Sequence, residues 1–321
     1  GYGAGNAVTT GTENTLIGAL AGDALTVGNS NVAVGTHALS ADTKGDRNVA
    51  IGRAALQVQN FTSTTDSYNT AVGYGTGELV TTGVQNTLMG GLAGDALTDA
   101  DNNVAIGYSS LGANTVGSRS TAIGTYALEV QNPASAANMY NTALGYGSGQ
   151  SVTTGIQNTL IGSGAGDSLT DADYNTAVGT NALASDTLGS KSTAIGREAL
   201  VTQNFASATD AYNTAVGYAA GQVVTTGVQN TLIGGLAGDA LTTGSYNTAL
   251  GSYCLSADDV GTHTVAIGYA ALAQQNTASA AAVYNVAVGA NAGYAVTTGT
   301  ANTLIGGLAG DAINTGAENV T

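Results

Sequence analysis

The chain has one cysteine, one proline, no tryptophan and two phenylalanines in 321 residues. A single thiol cannot build an intrachain disulfide framework. Cys254 stands where parallel segments carry Ala38, Ala55, Ala127 and Ala182, so it reads as an inert packed thiol. Charge is scarce as well: 8% of residues are charged, and six Lys and Arg face 21 Asp and Glu, a net −15. Without a dense basic stripe, phosphate neutralisation cannot drive nucleic-acid binding. The same balance disfavours docking on anionic lipid and keeps a surface soluble. No apolar run of roughly 18 residues occurs, so no membrane insertion by this segment is expected. The sequence begins Gly1-Tyr2-Gly3 without a signal-peptide pattern, which suggests an internal piece of a longer protein.

What is abundant is glycine, 48 residues, and small or β-branched apolar side chains within a 43% hydrophobic total. The glycines follow no Gly-X-Y period, which excludes collagen. The hydrophobic content argues against a disordered linker. The dominant feature is repetition. Tyr68-Asn69-Thr70 recurs as Tyr140-Asn141-Thr142, Tyr212-Asn213-Thr214 and Tyr284-Asn285-Val286, at steps of 72 residues. Within the unit, Asn-(Thr/Val)-(Ala/Leu)-(Val/Ile/Leu/Met)-Gly closes at Gly18, Gly35, Gly52, Gly73 and Gly90, then cycles with the same spacing to Gly306. Three short beats of 17 residues and one of 21 make the unit, and the whole of 1–321 is expected to be one continuous array.

A β-branched triplet ending in Gly, followed by small turn-forming residues, reads as strand then corner. Seventeen residues at about 3.3 Å each give a perimeter of about 56 Å, right for one narrow coil. The expected class is therefore all-β: a parallel β-solenoid, or β-roll, of 17–21-residue coils. Asn at the head of each beat can form a stacked ladder, with Ser120, Ser192 and Thr264 as oxygen-bearing substitutes. The closing Gly suits positive φ or close backbone approach. Strand alternation puts Val104 and Ile106 on one face and Ala105 on the other. With the larger pair assigned to the interior, Leu16, Leu88, Leu160, Leu232 and Leu304 become an outer stripe that association of chains would cover.

Asn48-Val49-Ala50-Ile51-Gly52 and Asn103 to Gly107 resemble the head repeat of trimeric autotransporter adhesins of the YadA-like type, and related repeats of phage tail-fibre-like proteins. The beat covers essentially the whole chain. The resemblance implies a left-handed roll, a homotrimer, and attachment to cells or matrix from a cell or virion surface. The coils here are longer than the usual head coil, and Thr often replaces the first Val. Adhesin and viral fibre both remain open at this point. The expected function is a structural or adhesive segment of an elongated extracellular fibre, whose partners are copies of itself and a surface glycan or receptor. The alternatives are a tail-fibre shaft whose glycan-binding or polysaccharide-cleaving activity lies elsewhere, and a calcium-stabilised or ice-binding solenoid.

No acid–base or nucleophile constellation stands out, so no catalytic residues, no cofactor and no enzyme are expected. Among the two histidines, His37 aligns with variable residues; His263 aligns with Arg47, Arg119 and Lys191, a recurring cationic position suited to surface ion pairs. Asp23, Asp95, Asp167, Asp239 and Asp311 recur in Gly-Asp pairs, as corner residues or calcium ligands. Asp95, Asp99 and Asp101, and likewise Asp167, Asp171 and Asp173, are the sets that could gather oxygen ligands. Other copies lack the extra acids. Gly73-Tyr74-Gly75-Thr76-Gly77 resembles a nucleotide loop only in glycine density. Thr at successive beats suggests an ice-binding surface, interrupted by Val32, Val49, Val104, Val265 and Val286. The four-residue extension of every fourth coil carries Phe61, Asn132-Pro133, Phe205 and Thr277-Ala278, and Phe61, Asn132, Pro133 and Phe205 are the candidates for outward contacts.

Overall fold

The β-branched triplets form strands in the computed structural model, which describes all residues except Ala278, Ala280 and Ala281. The chain divides into two compact units, Gly1–Gln157 and Asn158–Thr321. In the first, strands Thr15–Ile17, Val32–Val34, Val49–Ile51, Thr70–Val72, Thr87–Met89, Val104–Ile106, Thr121–Ile123 and Thr142–Leu144 follow one another. Each pairs with the next in parallel and in register, for example Thr15 with Val32 and Val32 with Val49. In the second, strands run from Thr159–Ile161 to Thr303–Ile305 with the same pairing, Thr159 to Thr176 and onward to Val286 with Thr303. Each unit is thus a parallel β-solenoid, with no α-helix among the described residues.

The face assignment expected from the sequence is reversed. Ala105 is fully buried, while Val104 and Ile106 on either side are half-buried. Leu88, Leu160, Leu232 and Leu304 are fully buried, so the leucine stripe is core and needs no partner chain to cover it. The cause is the narrow interior. Asn48 and Ala50 lie two residues apart and therefore share a face, and that face is inward because the Asn amides are consumed inside. Asn31 N donates to Asn14 Oδ1 and Asn48 N to Asn31 Oδ1, each at 2.9 Å. The Asn31 Nδ2 amide donates to Gly45 O at 2.8 Å. The same ladder runs through Asn213, Asn230 and Asn247 in the second unit. Left unpaired, each buried amide would cost about 1–3 kcal/mol.

Core volume is shared out coil by coil. Where the strand centre is Leu, the residue six positions on is Gly: a Cβ on Gly94 would sit 2.9 Å from Leu88 Cδ2, and one on Gly166 2.8 Å from Leu160 Cδ2. Where the centre is Ala33, Ala50, Ala105 or Ala122, that later residue is Leu39, Leu56, Leu111 or Leu128, fully buried. These leucines hold positive φ, 52° at Leu39 and 50° at Leu56. Such a conformation costs of order 1 kcal/mol, against about 1.5–3 kcal/mol gained by burying the side chain. The next inward position, three residues on, is Leu25, Asp42, Gln59 and Val80 in successive coils, all buried. The 72-residue unit is therefore four coils with four different core fillings. The closing glycines have a separate reason: Gly35 lies at φ +136°, where a Cβ would stand 2.5 Å from Gly52 O of the next coil.

Candidate functional site

The extension of the long coil was the sequence's main outward candidate, and the structure turns its larger residues inward. Phe61 and Phe205 are each 5% exposed, and Pro133 and Thr277 at the same position are also buried. A Cβ on Gly189 would meet Phe205 Cδ2 at 2.7 Å, and one on Gly117 would meet Pro133 Cδ at 3.1 Å, so these residues plug the coil rather than display a surface. Exclusion of an apolar ring from water outweighs its availability to a partner. Asn132 is exposed, with its Oδ1 accepting from the Thr115 hydroxyl at 2.7 Å. Asn60 and Asn204 take the hydroxyls of Thr43 and Thr187 in the same way, each at 2.9 Å. Ala278, in the fourth extension, lies outside the described residues.

Beneath each extension is a buried polar chain. Gln59 Nε2 donates to Asp42 Oδ2 at 2.7 Å, and Gln59 Oε1 accepts from Asn69 Nδ2 at 2.8 Å. Gln203 links Asp186, at 2.5 Å, to Asn213 and to the Ser192 hydroxyl. Ser120, Ser192 and Thr264 interrupt the asparagine ladder in the second, third and fourth repeats, where the glutamine amide donates to their hydroxyls, whereas Asn48 keeps the ladder in the first. Burial raises the Asp42 and Asp186 carboxyls above the usual carboxylate range, against the lowering effect of these hydrogen bonds. In the second repeat Asn114 replaces the acid, donating to Gly117 O at 2.7 Å.

Of the recurring Gly-Asp acids, Asp23, Asp95, Asp167 and Asp239 are half-buried and Asp311 is exposed, and burial raises the carboxyls of Asp95, Asp167 and Asp239. Asp101 Oδ1 accepts the Val84 N–H at 2.8 Å, as Asp46 Oδ1 accepts that of Asn29 at 2.6 Å. That carboxylate is therefore engaged in joining coils. Asp99 accepts from the neighbouring Thr98 hydroxyl at 3.3 Å. Among the described residues no three His, Cys, Asp or Glu side chains gather as metal ligands. Cys254 is buried, its Sγ 2.8 Å from Gly251 O, and burial pushes its thiol up to about 12.

Two surfaces remain. One is the outer strand face, where the third strand residue is half-buried in most coils and exposed in others: Ile51 38%, Met89 44% and Leu144 45% in the first unit, Ile195 38% and Leu250 42% in the second. The first strand residue, Thr or Val, lies beside it on the same face, half-buried in most coils. The other surface is aromatic. No protein-family model matches the sequence, and no curated protein is significantly similar to it. The chemistry of these surfaces therefore has to be read from their own residues.

Fifteen tyrosines are the main aromatic content, and most lie at the surface. One file pairs the recurring cations with tyrosines of the following coil. The Arg47 and Arg119 Nη1 groups donate to Tyr68 and Tyr140 hydroxyls, each at 3.0 Å. Lys191 Nζ reaches Asp210 Oδ2 at 2.5 Å and the Tyr212 hydroxyl at 3.2 Å, while Arg47 forms an ion pair with Asp66. His263 lies between Tyr246 and Tyr284, with ring centroids 4.8 and 5.4 Å away. The basic file is thus used within the chain. Exposed pairs of this kind contribute about 1 kcal/mol or less. A second file follows the closing glycines: Tyr126 meets Tyr108 and Tyr146 edge-on, and Tyr253 meets Tyr269 edge-on at 6.0 Å. Tyr68, Tyr140, Tyr212 and Tyr284 recur at 72 residues and read as repeat background, whereas Tyr108, Tyr126, Tyr253 and Tyr269 have no tyrosine at that step and so gave no periodic signal.

Proposed function

We propose that the chain is a structural and adhesive segment of an extracellular fibre, in which copies associate side by side as a homotrimer through the outer strand face. The observation that carries this reading is the exposure of that face. Ile51, Met89 and Leu144 in the first unit and Ile195 and Leu250 in the second stand exposed at the third strand position, in register with half-buried Val and Ile side chains of the neighbouring coils. A contiguous apolar patch of this kind is unusual on a monomer and marks an association surface. Within each unit, parallel in-register strands space the file evenly, so the same surface of a second copy can match it coil by coil. The remaining surface is left for display to a glycan or receptor at a cell or virion surface. No catalytic role is assigned.

Sedimentation equilibrium tests this. The expected mass is three times the 31.2 kDa of one chain, and Ile195→Asp, at a 38% exposed position, shifts the population towards monomer while the β spectrum persists. A strictly monomeric wild-type chain would overturn the association. A second reading uses the same face differently. Thr159, Thr176, Thr193, Thr214, Thr231 and Thr248 are consecutive, in register and on one face, an arrangement that suits an ordered-water or ice surface. Thermal hysteresis from a monomeric chain would favour that reading over the fibre.

A further inference from the structure

We propose that the second unit carries a saccharide-binding groove between Tyr253 and Tyr294, selective for neutral pyranose chains. This inference rests on the reading of the array as a display surface and names the site and ligand class. An open groove of about 320 Å³ lies there. Its walls are the rings of Tyr253 and Tyr294, 46% and 41% exposed, and its floor is Ala270 and Ala273 of the coil between them. Tyr269, 57% exposed, stands edge-on to Tyr253 with centroids 6.0 Å apart. Gln274 brings an exposed carboxamide to the rim, and no hydrogen bond to another described residue engages it.

The groove is a local departure from the repeat. At the positions of Ala273 and Tyr294, the earlier long coils and their successors carry Gln57 with Glu78, Glu129 with Gln150, and Val201 with Gln222. Gln150 Nε2 donates to Glu129 Oε2 at 2.7 Å, and Gln222 Nε2 to Glu198 Oε2 at 3.1 Å, so in those copies polar bridges span adjacent coils. In the fourth repeat the bridge is gone, the middle residue shrinks to Ala273 and aromatic rings stand on either side. Tyr253 replaces His37, Ser109 and Asn181, and Tyr269 replaces Arg53, Thr125 and Arg197. The fold tolerates the other residues at each position, so its stability does not require this combination.

The lining selects the ligand. A tyrosine ring offers a flat apolar face with a polar tip, which suits the C–H face of a pyranose and its equatorial hydroxyls together. A few convergent polar groups, here the Gln274 amide and the tyrosine hydroxyls, fix orientation. No Lys or Arg lines the groove, and the chain carries −15; an acidic glycan would meet an unfavourable field. A proline-rich peptide also docks on aromatic grooves, but it favours an apolar slot over one with a free amide and an alanine floor.

The test uses the full chain, with saturation-transfer NMR and calorimetry against cellohexaose, xylohexaose, maltohexaose and chitohexaose. A sulfated heparin hexasaccharide and a proline decapeptide are run in parallel. At least one neutral hexasaccharide is expected to bind, and Tyr253→Ala and Tyr269→Ala each weaken it by about tenfold or more. Alanine already occupies the Tyr253 position at Ala270, with φ +51°, and the Tyr269 position at Ala290, so both variants keep the fold. Tyr146→Ala in the first unit leaves binding unchanged. The proposal is overturned if no neutral saccharide binds, if binding survives both substitutions, or if the heparin fragment or the decapeptide binds as tightly. Assembly mass is measured on the same samples, so failure of the trimer and failure of the groove are read separately.

Discussion

Replacing Leu88 and Met89 by alanine, one at a time, tests which face of the strand is the core. Leu88 is fully buried and Met89 is 44% exposed, although the two are adjacent. Burying a leucine and then truncating it leaves a cavity, and such changes cost about 2.7–5 kcal/mol depending on how far the surroundings collapse. Little can collapse here. Beside Leu88 stand Gly77 and Gly94, whose Cβ positions would be 2.7 and 2.9 Å from its methyl carbons, so neither of these neighbours has a side chain to move into the space. Leu88→Ala should therefore fall in the upper part of the range, about 4 kcal/mol. Repeat arrays do not always unfold as one unit, so the appropriate assay is native-state hydrogen exchange over the coils on either side of Thr87–Met89. About 4 kcal/mol corresponds to roughly three orders of magnitude in exchange rate. Met89→Ala should change exchange by less than tenfold in the dissociated chain, and its effect should grow with protein concentration if the outer face associates. The double variant Leu88→Ala, Gly94→Leu imitates the Ala50 and Leu56 coil and should recover part of the loss. Recovery is incomplete because the Gly94 Cβ position also lies 2.8 Å from Leu97 Cδ1. A larger penalty at Met89 than at Leu88, or a double variant no better than the single one, would refute the assigned core.

Acid should stabilise the long coils. The Asp42 and Asp186 carboxyls are raised by burial, so the folded state binds these protons more tightly than the unfolded state. Their contribution is full below the unfolded value of about 3.9 and is lost as pH rises through the folded value. Asp186→Asn, which copies the natural Asn114, should raise the melting temperature at neutral pH and flatten its pH dependence; a lower melting temperature at neutral pH would count against the buried-acid account. Phe205→Ala should cost about 3–5 kcal/mol, read as faster exchange around Gly189–Ser190 and Thr209–Asp210, the short strands that close the extension. An effect near zero would mean that the ring is displayed after all.

The coil period, the parallel strand and the asparagine ladder were legible in the sequence because each depends on a residue that recurs at a fixed place in the beat, with the asparagine replaced only by the oxygen-bearing Ser120, Ser192 and Thr264. Inside and outside were also encoded, but in a relation between residues rather than in their hydrophobicity. Asn48 and Ala50 share a face by alternation, and a buried amide ladder fixes that face as interior; ranking Val and Ile above Ala as core residues points the other way. The pairing of Leu16 with Gly22, Leu88 with Gly94 and Leu160 with Gly166 carried the same information, since every strand-centre leucine is followed six residues later by a glycine that makes room for it. Phe61 and Phe205 misled for a related reason. An insertion normally signals a surface loop, yet these insertions start with an inward plug seated against Gly189 in one copy and Gly117 in another. The tyrosine groove was the least legible feature. It consists of departures from the repeat at Tyr253, Tyr269, Ala273 and Tyr294, which are far apart in sequence order relative to a single motif and adjacent only once successive coils are stacked. In a solenoid the repeat specifies the scaffold, and a site is built where several coils depart from it at the same place on the surface.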